Sequence, residues 1–475
     1  MGCKVMASTS TIIAGLVAGL LPLAGAAEPC KRLLVLMHPG PVTDALQAAA
    51  KPYTEKTGIE IALVTVPYGG QWHEAIAAEF ATRGAGGIDL LFWDSQMAPE
   101  FASQRNIVPL HDRLAKSTKI KRADFDERYL RFYSEYPEGS GQLWALPINL
   151  DTLCLMYRKD LFENPAEQAA FKKKYGYELK VPDTYQQVRD IAEFFTRPQQ
   201  GLYGWAQMAG REYDFASSAA NCFLWSYGGE LWNPQTKEVR GYLDAPASAD
   251  GIKMYLKMFE YGPPGCTNWG WNEVNQAFQL GRVAMIQQWY FFCQMNTDPK
   301  VSAVADRVSF ANLPGAHGRD GRFRREYSLG GQGLGISRYS KQIEEAWRFL
   351  EWFYTFEPQW EFARLAPSAR RDVLEDPRWL QQRPWYPAFS VALRNVNDYW
   401  VAPEYMSLLA IWQDELGAMI TRHKTVEQGL VDAAQRQEAL LAAKGYHIQR
   451  TANPGGIPDL VVTPVGRTQV YQKGD

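Results

Sequence analysis

The first hundred residues alternate short apolar runs with helix-length segments, and this alternation limits the fold more than any other feature of the chain. Apolar runs at 33–37, 59–66 and 88–93 predict three strands, and the segments 43–56 and 72–82 predict helices between them. This order predicts β-α-β units, and therefore an α/β fold with mainly parallel sheets flanked by helices. Ligands of such sheets bind beyond the carboxyl ends of the strands, so we expect a site in the loops that follow them.

Length and charge narrow the class of protein. A chain of 475 residues predicts two or more compact units, because single hydrophobic cores stop growing near about 250–300 residues. Hydrophobic residues make up 46% and charged residues 21%, a composition that is typical of folded chains. The formal net charge is only -2, whereas a nucleic-acid-binding surface needs an excess of positive charge. We therefore expect no nucleic-acid partner.

Residues 1–26 have the pattern of a cleaved signal peptide. Lys4 precedes an apolar segment at 12–23, and an Ala-Gly-Ala cleavage pattern ends at Ala26. A retained anchor helix is the alternative, but the apolar run is short and contains Pro22. No later run reaches the roughly 18 uncharged apolar residues that a membrane span needs. We therefore predict an exported, periplasmic protein that meets the membrane only through a partner.

The cysteines leave the disulfide pattern open. Six are encoded, and the first lies in the predicted signal peptide. Five cysteines then remain, and because this number is odd, at least one thiol must be unpaired. The sequence allows one or two disulfides and does not say which cysteines form them. The mature cysteines are Cys30, Cys154, Cys222, Cys266 and Cys293.

Motifs for catalysis and cofactor binding are missing from the sequence. There is no G-x-x-x-x-G-K-[ST] phosphate loop, no H-E-x-x-H zinc pair and no G-x-S-x-G nucleophile elbow. We therefore expect no cofactor, no metal and no catalytic residues. Carboxylates are plentiful, so a pair of the kind that glycosidases use stays open, with a secreted carbohydrate-active hydrolase as the corresponding alternative function.

Several short motifs occur in a fixed order along the chain. They include LPIN and LMYRKDLF within 146–162, VPDTY at 181–185 and FQLGRVAM at 278–285. A Gly-Gly strand at 330–336 and APSAR at 366–370 complete the set. Together these motifs resemble family 1 extracellular solute-binding proteins, the maltose-binding-protein-like, sugar-binding components of ABC importers. The resemblance covers about residues 31–440.

The resemblance implies a two-lobed periplasmic-binding-protein fold, type II-like, with a hinge between the lobes. Lobe one would comprise 27–149 plus 309–355, lobe two 150–308 plus 356–460, and a tail 461–475. Such a protein closes its lobes around a small ligand and then docks on a membrane permease driven by an ATPase. The resemblance implies a monomer without catalytic activity.

The aromatic content suits a carbohydrate ligand. The chain has 16 Trp, and aromatic residues make up 13% of it. A flat ring covers the C–H face of a sugar, while carboxylate, amide and guanidinium groups pair with its hydroxyls. We therefore predict a neutral carbohydrate or polyol as ligand. A non-sugar organic solute is the alternative, but a phosphorylated one would need several Lys or Arg in the cleft.

The strand-end rule and the resemblance together select the candidate ligand-binding residues. On the lobe-one side and at the first crossover they are Tyr68, Gln71, Trp72, Trp93, Asp94, Ser95, Gln96 and Asp151. On the lobe-two side and in the returning segments they are Trp205, Asn221, Trp225, Tyr227, Trp269, Trp271, Trp289, Gly331, Gln332 and Arg370. Core packing is the alternative for each Trp, and an ion pair that closes the lobes is the alternative for Arg370.

Overall fold

A computed structural model describes residues 32–450, 460–462 and 468–470. The predicted signal peptide and Cys30 lie outside the described residues. Within the described ranges, no helix combines the length and the apolar character that crossing a membrane requires.

The described chain contains strands and helices throughout its length. The strands are β1 (Arg32–Met37), β2 (Glu60–Thr65), β3 (Leu90–Asp94), β4 (Leu146–Arg158), β5 (Tyr203–Ala206), β6 (Val283–Trp289), β7 (Val308–Ala311), β8 (Ala316–His317), β9 (Phe323–Arg324), β10 (Tyr327–Ile336), β11 (Val396–Asn397), β12 (Leu460–Val462) and β13 (Thr468–Val470). The helices of the first half are α1 (Pro41–Thr57), α2 (Gly70–Ala81), α3 (Ala98–Ser103), α4 (His111–Lys116), α5 (Glu127–Ser134), α6 (Lys159–Phe162), α7 (Pro165–Tyr175), α8 (Tyr185–Phe195) and α9 (Phe215–Ser226). Those of the second half are α10 (Pro246–Lys257), α11 (Trp271–Gln279), α12 (Cys293–Asn296), α13 (Ile343–Phe353), α14 (Phe356–Phe362), α15 (Arg371–Leu374), α16 (Pro377–Gln382), α17 (Tyr386–Ala392), α18 (Tyr405–Ile420) and α19 (Val426–Ala443).

The β-α-β pattern predicted for the first hundred residues is present as β1, α1, β2, α2 and β3. Helix α1 begins at Pro41, two residues before its predicted start, because proline suits the first turn of a helix, where its missing N–H costs nothing. It ends at Thr57, one residue after its predicted end, since Gly58 adopts the left-handed conformation, with φ 72°, that terminates many helices.

Nine strands form one sheet, in the order β2-β1-β3-β10-β4-β6-β5, with β11 beside β10 and β7 beside β4. The pairs β1–β2, β1–β3 and β5–β6 are parallel. Strand β10 is antiparallel to β3 and β4, and β4 is antiparallel to β6. The sheet is therefore mixed rather than mainly parallel, because two long strands from distant parts of the sequence run through its middle.

Strand β4 joins the two halves of this sheet. Its first part pairs with β10 through residues 146–152, and its second part pairs with β6 through 153–157. The change of partner coincides with the first predicted crossing between lobes. Helix α14 packs on α1, although the predicted division assigns them to different lobes. The division into lobes stays a prediction.

The described cysteines are reduced and buried. Cys154, Cys222, Cys266 and Cys293 all carry free thiols. The Sγ atoms of Cys154 and Cys293 lie 3.9 Å apart, which is a sulfur–sulfur contact and not a covalent bond.

Candidate functional site

A cavity of about 660 Å³, here called the main cavity, lies where the carboxyl ends of several strands meet. Loops after β1, β2 and β3 contribute to one side, and the middle of β4 and β10 contributes to the floor. The other side comes from the loop before α9, the start of α11 and the segment after β6. This volume falls within the range of about 300–1,000 Å³ that is usual for small-molecule sites.

Asp94, the last residue of β3, lines the main cavity and accepts hydrogen bonds from three side chains. The Gln332 amide donates to its Oδ1 at 2.7 Å, and the Tyr213 hydroxyl donates to its Oδ2 at 2.7 Å. The Tyr68 hydroxyl donates to the same Oδ2 at 3.3 Å. Burial raises the pKa of Asp94 to about 6, and these three hydrogen bonds oppose the rise. The carboxylate is thus held in place by neutral donors and by no cation.

Asp214 lies opposite, immediately before α9, and our candidate residues do not include it. Its Oδ1 lies 3.4 Å from the Tyr68 hydroxyl, whose single proton it shares with Asp94. Burial, and then the charge of Asp94, raise the pKa of Asp214 to about 8. The strand-end rule applies here as well, because Asp214 lies in the loop that follows β5. Our reasoning selected Trp205 inside that strand instead.

The floor of the main cavity is a hydrogen-bonded row across three strands. The Asn149 amide donates to Gln332 Oε1 at 2.8 Å, and Gln332 in turn donates to Asp94. Asp151, two residues along β4, accepts from the backbone N–H of Thr152 at 2.8 Å. Burial raises the pKa of Asp151 to about 8. Asn149 also lines the main cavity, and its Oδ1 is buried without a hydrogen-bond partner.

Aromatic rings form the walls. The rings of Tyr68 and Trp271 meet with centroids 4.6 Å apart, and Phe215 stacks on Tyr68 at 6.4 Å. The Trp289 ring lies against the backbone of Gly330, where a Cβ atom would come within 2.3 Å of it. Glycine is therefore required at position 330, because any side chain would displace the Trp289 ring.

His38 also lines the main cavity and was not among our candidates. Its Nδ1 lies 3.1 Å from the carbonyl oxygen of Pro39, and its Nε2 is buried without a partner. Burial lowers the pKa of His38 to about 4, so the imidazole is neutral at pH 7 and adds no positive charge. His38 directly follows β1, so the rule that ligands bind beyond the carboxyl ends of strands points to it.

The structure brings part of the predicted set together around the main cavity. The predicted residues that line it are Tyr68, Asp94, Gln96, Asp151, Trp271, Trp289, Gly331 and Gln332. Ser95 and Trp225 line a second cavity, to which segments 95–99, 131–138, 225–237 and 396–403 contribute.

Three predicted tryptophans lie in the core instead of the cleft. Trp72, Trp93 and Trp205 have no exposed surface. Trp72 packs behind His38, with ring centroids 5.1 Å apart, and Trp93 lies over the backbone of Gly335. Because their rings are covered by protein on all sides, they stabilise the walls and do not offer a face to a ligand.

The remaining predicted residues have other structural partners. The Asn221 side chain accepts a hydrogen bond from the Trp412 indole at 3.0 Å, which ties α9 to α18. Arg370 forms ion pairs with Asp124 at 3.2 Å and Asp372 at 2.8 Å, so its charge is engaged away from the main cavity. The others lie outside the lining: Gln71 is exposed, Trp269 borders a surface groove, and Tyr227 stacks on Tyr185.

Comparison with known proteins identifies the family. A family profile described as "Bacterial extracellular solute-binding protein" matches residues 39–360. The chain belongs to this family. Its members are binding proteins that serve ABC importers, so this solute-binding protein is not an enzyme.

Two curated relatives illustrate the range of the family. The solute-binding protein is 23% identical over 429 residues to a probable amino-acid ABC transporter periplasmic-binding protein of Sinorhizobium fredii, covering 88% of this chain and 90% of the relative. It is 30% identical over 180 residues to the mannitol-binding protein of Pseudomonas aeruginosa, covering 37% of each chain.

Solved structures share the fold. The maltose-bound MalE3 of T. maritima has a TM-score of 0.74 at 21% identity, covering 86% of this chain and all (100%) of that one. A ribitol-bound solute-binding protein of Agrobacterium radiobacter has a TM-score of 0.73 at 22% identity, with coverages of 87% and 100%. A D-mannitol-bound protein of Agrobacterium vitis has a TM-score of 0.70 at 22% identity, with coverages of 88% and 99%. These likenesses confirm the predicted two-lobed α/β fold.

Proposed function

We propose that this solute-binding protein captures a neutral carbohydrate or polyol in the main cavity and delivers it to an ABC permease driven by an ATPase. The mature protein would act in the periplasm as a monomer after removal of residues 1–26. The proposed lobes are 27–149 plus 309–355 and 150–308 plus 356–460. They would close around the ligand by rotation at the crossing strands.

The chemistry of the lining carries this proposal. Asp94, Asp151 and Asp214 supply carboxylate oxygens on the walls and the floor, and aromatic rings supply flat apolar faces beside them. Hydroxyl groups are donors that satisfy such oxygens, and the C–H faces of a sugar or polyol cover rings. A ligand with many hydroxyls therefore complements both parts of the lining at once.

Charge argues against an anionic or zwitterionic ligand. Among the described residues that line the main cavity, Arg211 is the only Lys or Arg. Its side chain is 64% exposed and pairs with Asp414, outside the cavity. A ligand carboxylate or phosphate would lie beside the ionised Asp94, and Asp151 and Asp214, with pKa values near 8, add no positive charge that would offset the repulsion. This distinguishes the proposed ligand from the amino acid that the name of the Sinorhizobium relative suggests for that protein.

Thermal unfolding with candidate solutes tests the proposal. Mannitol, ribitol, maltose and maltotriose form the test panel, with glutamate and glucose 6-phosphate as charged controls. A bound solute at 100 times its Kd adds about 2.7 kcal/mol to stability, so a ligand produces a clear rise in Tm. A response to the charged controls, with none to the neutral panel, contradicts the proposal.

A pair of tryptophan variants tests the location of the site. Trp271 contributes ring surface to the main cavity, while Trp352 is a partly buried tryptophan that packs on Tyr53, away from it. We expect Trp271→Ala to weaken binding of the active solute about five- to thirtyfold in calorimetric titration, because the loss of one ring face costs about 1–2 kcal/mol. Trp352→Ala should leave Kd unchanged. Equal effects of the two variants would remove the main cavity as the binding site.

A further inference from the structure

The second cavity, of about 490 Å³, lies beyond Asp94 and has no role in the proposed binding of a small solute. Segments 95–99 and 131–138 form one side of it, and segments 225–237 and 396–403 form the other, together with Tyr446. In the predicted division these sides belong to different lobes. On that division the second cavity, like the main cavity, lies between the lobes.

Its apolar lining is aromatic. Phe132, Tyr136 and Tyr446 are partly exposed and line it with their rings. Trp225 and Trp232 are nearly buried and contribute ring edges beside them. A wall of this kind matches the C–H face of a sugar, as the walls of the main cavity do.

Its polar lining includes a serine hydroxyl and a carboxyl group. Ser95 is 3% exposed, and its Oγ has no hydrogen-bond partner. The Asp398 Oδ1 accepts from the Gln96 amide at 2.5 Å and from the backbone N–H of Tyr399 at 2.8 Å. A buried hydroxyl without a partner costs stability, and a ligand hydroxyl would satisfy it.

The cations of the second cavity are already engaged. Arg131 lies 3.5 Å from the Glu138 carboxylate, and its guanidinium carbon is 5.2 Å from the Phe132 ring centroid. Lys237 Nζ lies 4.5 Å from the ring centroid of Trp232 and donates to a backbone carbonyl. Neither is free to hold a ligand anion without giving up these contacts, so the lining favours a neutral, hydroxyl-rich ligand.

A side-chain hydrogen bond joins the linings of the two cavities. Gln96 lines the main cavity, its neighbour Ser95 lines the second, and the Gln96 amide reaches across to Asp398 in the second lining. Both partners are groups that hydrogen-bond equally well to sugar hydroxyls. When a ligand separates Gln96 from Asp398, its hydroxyls can form hydrogen bonds with both groups in place of the one that is broken.

We propose that the second cavity is an extension subsite, which receives the far end of an oligosaccharide whose first units occupy the main cavity, after the Gln96–Asp398 hydrogen bond opens. This inference rests on the proposed carbohydrate-binding function and narrows its substrate class. The ligand is then a carbohydrate chain and not a single hexitol.

Calorimetric titration with ligands of increasing length tests the subsite. Mannitol, maltose, maltotriose and maltotetraose serve as probes. We expect one binding site per chain for each, and at least a tenfold gain in affinity from maltose to the longer maltodextrins, which equals about 1.4 kcal/mol. Tyr136→Ala should reduce this gain to less than about threefold while the Kd for maltose stays within twofold of wild type.

Two further variants keep the experiment decisive. Tyr446→Ala removes a different ring of the second cavity and should reduce the same gain, so the test does not depend on the folding of one variant. Tyr203→Ala removes a partly buried tyrosine that lines neither of the two cavities and should leave the gain unchanged. Maltose binding serves as the check that each variant is folded.

The outcomes separate the two proposals. If maltose binds but longer chains gain nothing, or the gain survives both Tyr136→Ala and Tyr446→Ala, the extension subsite is refuted and carbohydrate binding stands. Two molecules of mannitol per chain also refute it, because they show an independent site. If no probe binds, the carbohydrate function fails and the subsite fails with it.

Discussion

Replacing Asp214 by Asn should stabilise the ligand-free protein at neutral and alkaline pH. Burial and the nearby Asp94 raise the pKa of Asp214 to about 8 from an ordinary 3.8. Asn has nearly the same shape, keeps an oxygen that accepts from the Tyr68 hydroxyl, and carries no charge. The variant therefore removes the cost of a buried carboxyl group that the unfolded chain would ionise freely.

The pKa difference sets the pH dependence and the magnitude. A folded-state pKa above the unfolded value means that wild type loses stability as pH rises from about 4 toward 8, because the unfolded state releases the proton first. At pH 7, about three units above the ordinary pKa, each unit is worth about 1.4 kcal/mol, so the cost is at most about 4 kcal/mol. Above pH 8 the difference between variant and wild type levels off.

Urea unfolding of the ligand-free protein at pH 4, 6, 7 and 8.5 measures this difference. We expect the two proteins to be equal at pH 4 and Asp214→Asn to be more stable by about 1–4 kcal/mol at pH 7 and above. Asp376→Asn is the control, because Arg378 and a backbone N–H hold the pKa of that partly buried carboxyl at about 2. Its substitution should give no gain at any pH. A variant that is less stable than wild type at pH 7, or a difference that does not change with pH, would refute the reasoning.

Two further substitutions separate core residues from binding residues. Trp205→Phe removes a fully buried indole that donates to Gln207 Oε1 at 2.8 Å. It should lower the free energy of unfolding in urea by about 1–3 kcal/mol and leave the Kd for the solute unchanged. A loss of affinity at unchanged stability would show that Trp205 belongs to the binding site. Gly330→Ala places a methyl group within 2.3 Å of the Trp289 ring, so the ring must move. The variant should bind the solute at least threefold more weakly, show a shifted tryptophan fluorescence and be less stable by about 1–3 kcal/mol. Unchanged fluorescence and affinity would show that the glycine does not fix the position of the ring.

The local sequence pattern predicted where the first strands lie but not which strands pair in the sheet. The apolar runs of β1, β2 and β3 predicted their positions closely, because the buried residues of β1 and β3 and the partly buried residues at the centre of β2 are apolar. The mixed sheet depends on β10, a glycine-rich strand whose antiparallel partners β3 and β4 lie far from it in sequence. Local periodicity carries no information about such distant partners, so the expected mainly parallel sheet was wrong at its centre.

Tryptophan was a weak guide to the site, and carboxylates were a better one. Trp205 and Trp271 have the same chemistry, yet they lie in different surroundings. Trp205 lies within strand β5 and is fully buried, whereas Trp271 lies at the start of helix α11 and lines the main cavity. Tryptophan is common in cores, so its type alone does not separate the two roles. Asp94 and Asp151 were found through strand ends and the family resemblance. Asp214 would have been found by the same rule applied to β5.

The carboxylates also explain why the main cavity is costly to keep. Asp94, Asp151 and Asp214 are buried with raised pKa values, and the hydrogen bonds that hold them come from neutral groups. A fold selected only for stability would pair them with cations or replace them by amides. At pH 7 the ionised Asp94 only accepts hydrogen bonds, whereas Asp151 and Asp214, with pKa values near 8, are mostly protonated and can also donate. In the proposed function, the hydroxyls of a ligand would pair with these groups, and part of the stability that they remove from the ligand-free protein would be returned as binding energy.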